Sequence, residues 1–122
     1  MEKAKKILIM EDEKPMARAL ELKLTHAGFD AIAVFDGEAG MALLEKEEFG
    51  LIILDLVMPK MDGFSVLQAL KDKKIDIPVI VSSNLSQPDD ETRARDLGAK
   101  DFFIKSNTPI ASIVEHVQKF FT

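Results

Sequence analysis

Four short apolar runs each stop at residues able to do ionic chemistry. The run ILIM (7–10) leads into Glu11, Asp12 and Glu13, and LIIL (51–54) leads into Asp55. VIV (79–81) leads into Ser82, Ser83 and Asn84, and FFI (102–104) into Lys105. A carboxylate at the end of a buried run costs several kcal/mol of desolvation unless something compensates it. If the strands carrying Glu11, Asp12 and Asp55 are neighbours, three carboxylates meet in one small volume and raise one another's pKa unless a cation intervenes. Mg²⁺ answers that need: it takes oxygen ligands, keeps several waters and is completed by a substrate phosphate. Lys105 supplies a second positive charge from the opposite side, and Ser83 a hydroxyl. Acids, a divalent cation, an ammonium and a hydroxyl around one carboxylate describe a phosphoryl-transfer site with Asp55 as nucleophile.

Taken singly, the same residues read more plainly. An aspartate at a strand end usually serves a turn, and Phe102 on a buried strand packs. Glu13 faces solvent or begins a helix. His26 and His116 read as surface or packing histidines, and the lysines of KDKK (71–74) as a solvated helix end. The convergence of Glu11, Asp12, Ser83 and Lys105 on Asp55 is what outweighs these readings.

Such convergence requires elements that bring the run ends together. Apolar runs fall at 7–10, 31–35, 51–54, 79–81 and 102–104, and the first, third and fourth lack polar alternation. Strands covered on both faces read that way. Between them lie helical patterns with recognisable ends. Pro15 suits a first helical position, with Met16, Leu20 and Leu24 following and Gly28 as the stop. Asp36 and Asp62 are placed as caps of the second and third helices, the third carrying Phe64, Leu67 and Leu70 on its apolar face. Ser86 or Gln87 precedes Pro88, the acidic DDE suits the positive end of a helix dipole, and Gly98 ends that helix. Thr108 and Pro109 open the last helix, whose apolar stripe is Ile110, Ile113, Val114, Val117 and Phe121. Five strand–helix repeats predict an α/β, doubly wound parallel sheet, with ligands bound beyond the carboxyl ends of the strands.

Composition excludes other classes. The 122 residues include no cysteine, so neither a disulfide framework nor a thiolate metal site is available. A net charge of −5 argues against a nucleic-acid-binding surface. No apolar run approaches the ~20 residues of a membrane span. The opening MEKAKK is charged and leads straight into a strand, so no signal peptide is expected. The expectation is a single cytoplasmic domain over 1–122, with no direct contact with nucleic acid or membrane.

The sequence resembles a response regulator receiver domain over its whole length. The resemblance rests on ILIMEDEKPMA, LIILDLVMPKMDG, IPVIVSSN and LGAKDFFIKS, in that order and at the family's separations. It implies a flavodoxin-like (βα)5 fold with strand order 2-1-3-4-5. It also implies a phosphorylation-dependent switch of a two-component system, not an enzyme with a turnover substrate. By resemblance, Asp55 accepts the phosphoryl group from a phosphohistidine of a sensor histidine kinase or phosphotransfer protein. Asp12 ligates Mg²⁺ directly, Glu11 through water, and the backbone carbonyl of Val57 completes the protein ligands beside Asp55. Ser83 bonds a phosphoryl oxygen, Lys105 pairs with the phosphate, and Phe102 is the switch aromatic. The resemblance places the output on the helix 4–strand 5–helix 5 face, toward an effector protein or a homodimer.

Three departures stand out. Ser106 follows Lys105 where most relatives carry proline after a cis bond, so a trans peptide is expected. Asn84 replaces a small residue beside Ser83, where its amide could bond or crowd the phosphoryl group. Val57 and Leu85 flank the path of hydrolytic water with apolar side chains, which predicts slow self-dephosphorylation. Rival readings are weaker. A small-molecule phosphohydrolase wants a second carboxylate where Val57 stands, and a flavin domain wants a phosphate-cradling loop where this chain puts carboxylates. An interaction module that takes no phosphate stands as the alternative; degenerate modules lose the acids, the nucleophile or the lysine, all intact here.

Overall fold

The five apolar runs pair into one sheet, and the first, third and fourth, greasy on both sides, need cover on both. In the computed structural model, which describes residues 5–85 and 87–121, they become β1 (Lys6–Met10), β2 (Asp30–Val34), β3 (Leu51–Leu54), β4 (Val79–Ser83) and β5 (Asp101–Ile104). They alternate with α1 (Lys14–His26), α2 (Gly37–Lys46), α3 (Gly63–Asp72), α4 (Pro88–Asp96) and α5 (Ile110–Phe120). All pairings are parallel and the order is β2-β1-β3-β4-β5, as expected.

Successive strand residues point to opposite faces, and both faces are core. Ile7, Ile9, Ile53 and Ile80 pack with Leu20 and Leu24 of α1 and Ile113 and Val117 of α5. Leu8, Met10, Leu54 and Val81 pack with Phe64, Leu67 and Leu70 of α3 and Ala94 of α4. This two-sided cover is the physical reason the runs show no polar alternation.

Register then aligns the strand ends. Met10 lies opposite Leu54, Leu54 opposite Val81, and Ser83 opposite Ile104. The residues that follow, Glu11, Asp55, Asn84 and Lys105, therefore leave the same edge of the sheet.

Helix ends follow the side chains that can satisfy exposed backbone groups. Asp36 Oδ1 accepts the Ala39 N–H at 2.8 Å, and Asp62 Oδ1 accepts the Ser65 N–H at 2.8 Å. Pro15 falls at the second helical residue, because α1 already starts at Lys14. Gly28 and Gly98 take positive φ, 101° and 112°, just past the ends of α1 and α4. Of the two caps considered for α4, Ser86 lies outside the described residues, and Gln87 makes no side-chain cap bond. Among the described residues no helix is long and apolar enough to cross a membrane.

Candidate functional site

The aligned strand ends bring the predicted carboxylates together. The Asp55 N–H donates to the Met10 carbonyl at 2.9 Å, which holds the carboxylate beside the end of β1. Asp55 is 4% exposed and Glu11 2%, while Asp12 is the least buried of the three. One carboxylate oxygen from each of Glu11, Asp12 and Asp55 lies within 4.8 Å of the other two. Oxygens so close, all hard donors of like charge, suit a hard divalent cation such as Mg²⁺.

The chain between β3 and α3 explains why Asp-Gly follows. The Gly63 N–H donates to the Leu56 carbonyl at 2.9 Å, folding the start of α3 onto the residues around Asp55. A Cβ on Gly63 would stand 2.5 Å from the Asp55 carbonyl oxygen and 2.7 Å from Leu56 Cα. Both obstacles are backbone. Leu56 and Met58 are buried and anchor the loop, while Val57 between them is 55% exposed.

Lys105 supplies the compensating charge. Its side chain is 6% exposed, and its Nζ donates to Glu11 Oε1 and Oε2 at 2.9 and 3.0 Å and to Asp55 Oδ2 at 3.1 Å. It also donates to Glu13 Oε1 at 2.8 Å. Glu13 is exposed and precedes α1, as the sequence suggests, yet it is a third acidic partner of the lysine that reading the sequence missed. The run Glu11–Asp12–Glu13 puts a third carboxylate nearby, but nothing in its spacing tells that the side chain reaches Lys105.

These contacts favour the protonated form of all three groups, for different reasons. Burial pushes the Glu11 carboxyl up to about 7, with the Asp55 charge adding to it and the Lys105 bond and the Glu13 N–H opposing. Asp12 is raised by burial and by Asp55. Burial would lower Lys105, but its bonds to Glu13 and Glu11 and the Asp55 charge outweigh it and raise the ammonium. The cluster is short of positive charge even with Lys105 in place.

The remaining predicted residues ring this centre. Asp12, Glu13, Asp55, Ser83 and Lys105 line a cleft of about 320 Å³ whose walls also include Val57, Asn84 and Leu85. The Val57 N–H donates to Asp55 Oδ1 at 3.2 Å. Ser83 is fully buried, and its Oγ accepts the Leu85 N–H at 3.4 Å. Phe102 is half-buried on the α2–α4 side of the sheet, packed against the same apolar layer as Leu85. Asn84 Oδ1 is turned to the Ser106 N–H at 3.0 Å, so its amide oxygen bonds a neighbouring loop. No cis peptide occurs among the described residues, and the Lys105–Ser106 bond is trans, as expected without proline. His116 pairs with Asp101 and packs edge-on against Phe103, at a ring separation of 5.1 Å. The arrangement is therefore a buried carboxylate in an acidic, cation-seeking cleft, with an ammonium and a hydroxyl on its flanks.

Comparison with known proteins agrees in fold and in extent. The sequence profile described as the response regulator receiver domain matches residues 7–118. A probable transcriptional regulator ycf27 from Porphyridium aerugineum is 38% identical over 120 residues, which is 93% of this chain and 50% of that protein. The chain spans about half the length of the curated relatives it matches. The solved receiver domain of the Francisella response regulator 1452 superposes with a TM-score of 0.89 at 28% identity, covering 95% of each chain. The signal receiver domain of a histidine kinase from Syntrophus aciditrophicus gives 0.85 at 33% identity, over 97% of this chain and 90% of that one.

Proposed function

The chain belongs to the response regulator receiver domain family, and from the cleft around Asp55 we propose that it is a phosphoacceptor whose phosphorylation switches a partner-binding face. Receiver domains are signalling modules of two-component systems, and phosphorylation-dependent switching is their general function. The finer assignment to particular residues is supported by one observation above the rest. A single ammonium, Lys105 Nζ, bridges Asp55 and Glu11 at 3.1 and 2.9 Å inside a cluster whose three carboxylates bring oxygens within 4.8 Å of one another.

In the proposed step an Asp55 oxygen attacks the phosphorus of a phosphohistidine on a sensor kinase or phosphotransfer protein. The P–O bond forms as the P–N bond breaks, and the imidazole nitrogen keeps the electron pair. Glu11, Asp12, Asp55 and the Val57 carbonyl would hold Mg²⁺, which when bound neutralises the oxygens of the transferring group. Lys105 exchanges part of its contact with Glu11 and Glu13 for a phosphoryl oxygen. The Ser83 hydroxyl turns from the Leu85 N–H toward a second oxygen. The carboxylates and the ammonium are already in place before the donor arrives, so catalysis is positioning and preorganised charge. Phe102 then takes space released near Ser83, and the α4–β5–α5 face changes for an effector protein or a second copy.

We read residues 1–122 as one such unit acting in the cytoplasm. Intact mass after incubation with acetyl phosphate and Mg²⁺ tests the assignment. One added phosphoryl group is expected, lost in Asp55→Asn and in EDTA. A folded, Mg²⁺-binding protein that gains no mass would instead support an interaction module that takes no phosphate.

A further inference from the structure

Two departures from the family pattern meet in space. Residue 106 is Ser where the resemblance leads one to expect proline, so it carries a backbone N–H that proline lacks. Residue 84 is Asn where a small residue is usual, and its Oδ1 accepts that N–H at 3.0 Å across 22 positions of sequence. Neither residue explains itself alone: the donor exists because proline is absent, and the acceptor exists because the side chain at 84 is long enough to reach it. The two ends of this bond matter because of their neighbours. Asn84 follows Ser83, which lines the cleft beside Asp55, and Ser106 follows Lys105, whose Nζ holds Glu11 and Asp55.

We propose that Asn84 is a positioning residue that couples the β4–α4 loop to the short turn at Lys105–Asn107, so that displacement at Ser83 and placement of Lys105 are one motion. The inference rests on the phosphoacceptor reading of Asp55, Ser83 and Lys105. Proline would stiffen the turn through its ring; here the stiffening comes from a bond to the loop that moves. The turn closes on itself only weakly, through the Thr108 N–H to the Lys105 carbonyl at 3.3 Å. The Asn84 bond is therefore the firmer anchor of Lys105's backbone toward β4. Both residues are exposed, so the bond adds little to global stability and its effect falls on geometry.

The test compares wild type, Asn84→Ala, Ser106→Pro and the double variant. The rate of acetyl-phosphate labelling is followed by intact mass, and the Ser106 amide by NMR before and after phosphorylation. Asn84→Ala is expected to slow labelling about three- to tenfold, because Lys105 is then less often placed for transfer. The double variant should be no slower than Ser106→Pro alone, because both changes remove the same bond. In wild type the Ser106 amide resonance should move on phosphorylation, and in Asn84→Ala that movement should fall by half or more, with the unfolding midpoint unchanged. Additive rate effects, or a Ser106 amide that responds equally in both proteins, would overturn the coupling while leaving Asp55 as phosphoacceptor. A wild-type protein that takes no phosphoryl group would overturn both readings together.

Discussion

Lys105 and Glu11 divide the electrostatic cost of the cleft between them, and each division has a measurable result. Removing the ammonium while keeping the stem, as in Lys105→Met, leaves buried carboxylates without their partner. Breaking a buried pair in this way is expected to destabilise the metal-free protein by about 3 kcal/mol. Saturating Mg²⁺ should recover most of that loss in a urea titration, since the same oxygens then face a cation. Glu11 gives the complementary pH dependence. Its carboxyl is raised from the usual 4.5 to about 7, so the folded protein keeps a proton that the unfolded chain releases near 4.5. Its contribution is complete below that lower value and is lost as pH rises to about 7. Lys105 is shifted upward from 10.5, so its own contribution is full throughout this window and adds no slope. Metal-free protein should therefore lose thermal stability steadily between pH 4.5 and about 7. Glu11→Gln should reduce the slope, leaving the smaller part that Asp12, also raised, contributes in the same direction; an unchanged slope in that variant would assign the titration elsewhere. The apolar walls at Val57 and Leu85 bear on the other half of the cycle. With Asp55 as the proposed phosphoacceptor, neither can orient a water for attack on its phosphoryl group, so the double variant Val57→Asn with Leu85→Glu should shorten the phosphoryl lifetime on the order of tenfold. An unaltered decay rate would remove these two residues from the hydrolysis question.

Elements deliver these residues, and here the match between sequence and structure can be judged. β3 is foretold because LIIL has no polar member, and the structure buries all four residues between two helical layers. Caps at Asp36 and Asp62 could be foreseen because a short carboxylate before an apolar-periodic stretch has one local use, accepting an N–H of the first turn. Glu11, Asp12, Asp55 and Lys105 could be foreseen as a cluster because parallel strands share an exit edge. What could not be foreseen depends on distances between separate loops. Glu13 on Lys105 and Asn84 on Ser106 are bonds across 92 and 22 positions, decided by side-chain reach that periodicity does not encode. Gly63 lies between these cases. Asp-Gly predicts a turn into α3, but only the folded chain reveals backbone 2.5 Å from where a Cβ would stand. Gly63→Ala must then push the start of α3 away from Asp55. The expected cost is about 2 kcal/mol or more, in the range of overpacked sites, with a slower phosphorylation rate because the Asp55 loop moves with it. The Asp62→Ala variant is the useful contrast. It should cost about 1 kcal/mol through the lost cap and leave the labelling rate near wild type, separating loop geometry from helix stability.

At the level of the molecule, the question is whether an event at one sheet edge reaches a face built from different elements. The route available runs through packing. Ser83 is fully buried, the backbone of Leu85 leans on its hydroxyl, and Leu85 and Phe102 share one apolar layer. Phe102 sits on β5, the strand that joins α4 to α5, and polar side-chain contacts already link these elements. Glu91 and Arg95 of α4 pair at 2.9 Å, Arg95 reaches Asp101 of β5 at 3.9 Å, and Asp101 meets His116 of α5. A phosphoryl group brings roughly −1.5 to −2 charges to a cleft whose only close ammonium among the described residues is already shared by three carboxylates. It can shift the population of two packings only by as much as it binds one better than the other, a difference that the proposed reading assigns to Ser83 and Lys105. The sequence provides an unusually clean way to observe the shift, because it contains neither tryptophan nor tyrosine. Phe102→Trp would place a single fluorophore at the end of the proposed route, half-buried in the unphosphorylated state. If the ring moves inward on phosphorylation, emission should shift to the blue and acrylamide quenching should fall. Both changes should vanish when Ser83→Ala removes the hydroxyl, even though Asp55 still takes the phosphoryl group. Emission that is unmoved in a protein shown by mass to be phosphorylated would take Phe102 out of the route. The α4–β5–α5 face would then have to be reached by another path, of which the loop bond between Asn84 and Ser106 is the nearest in the structure.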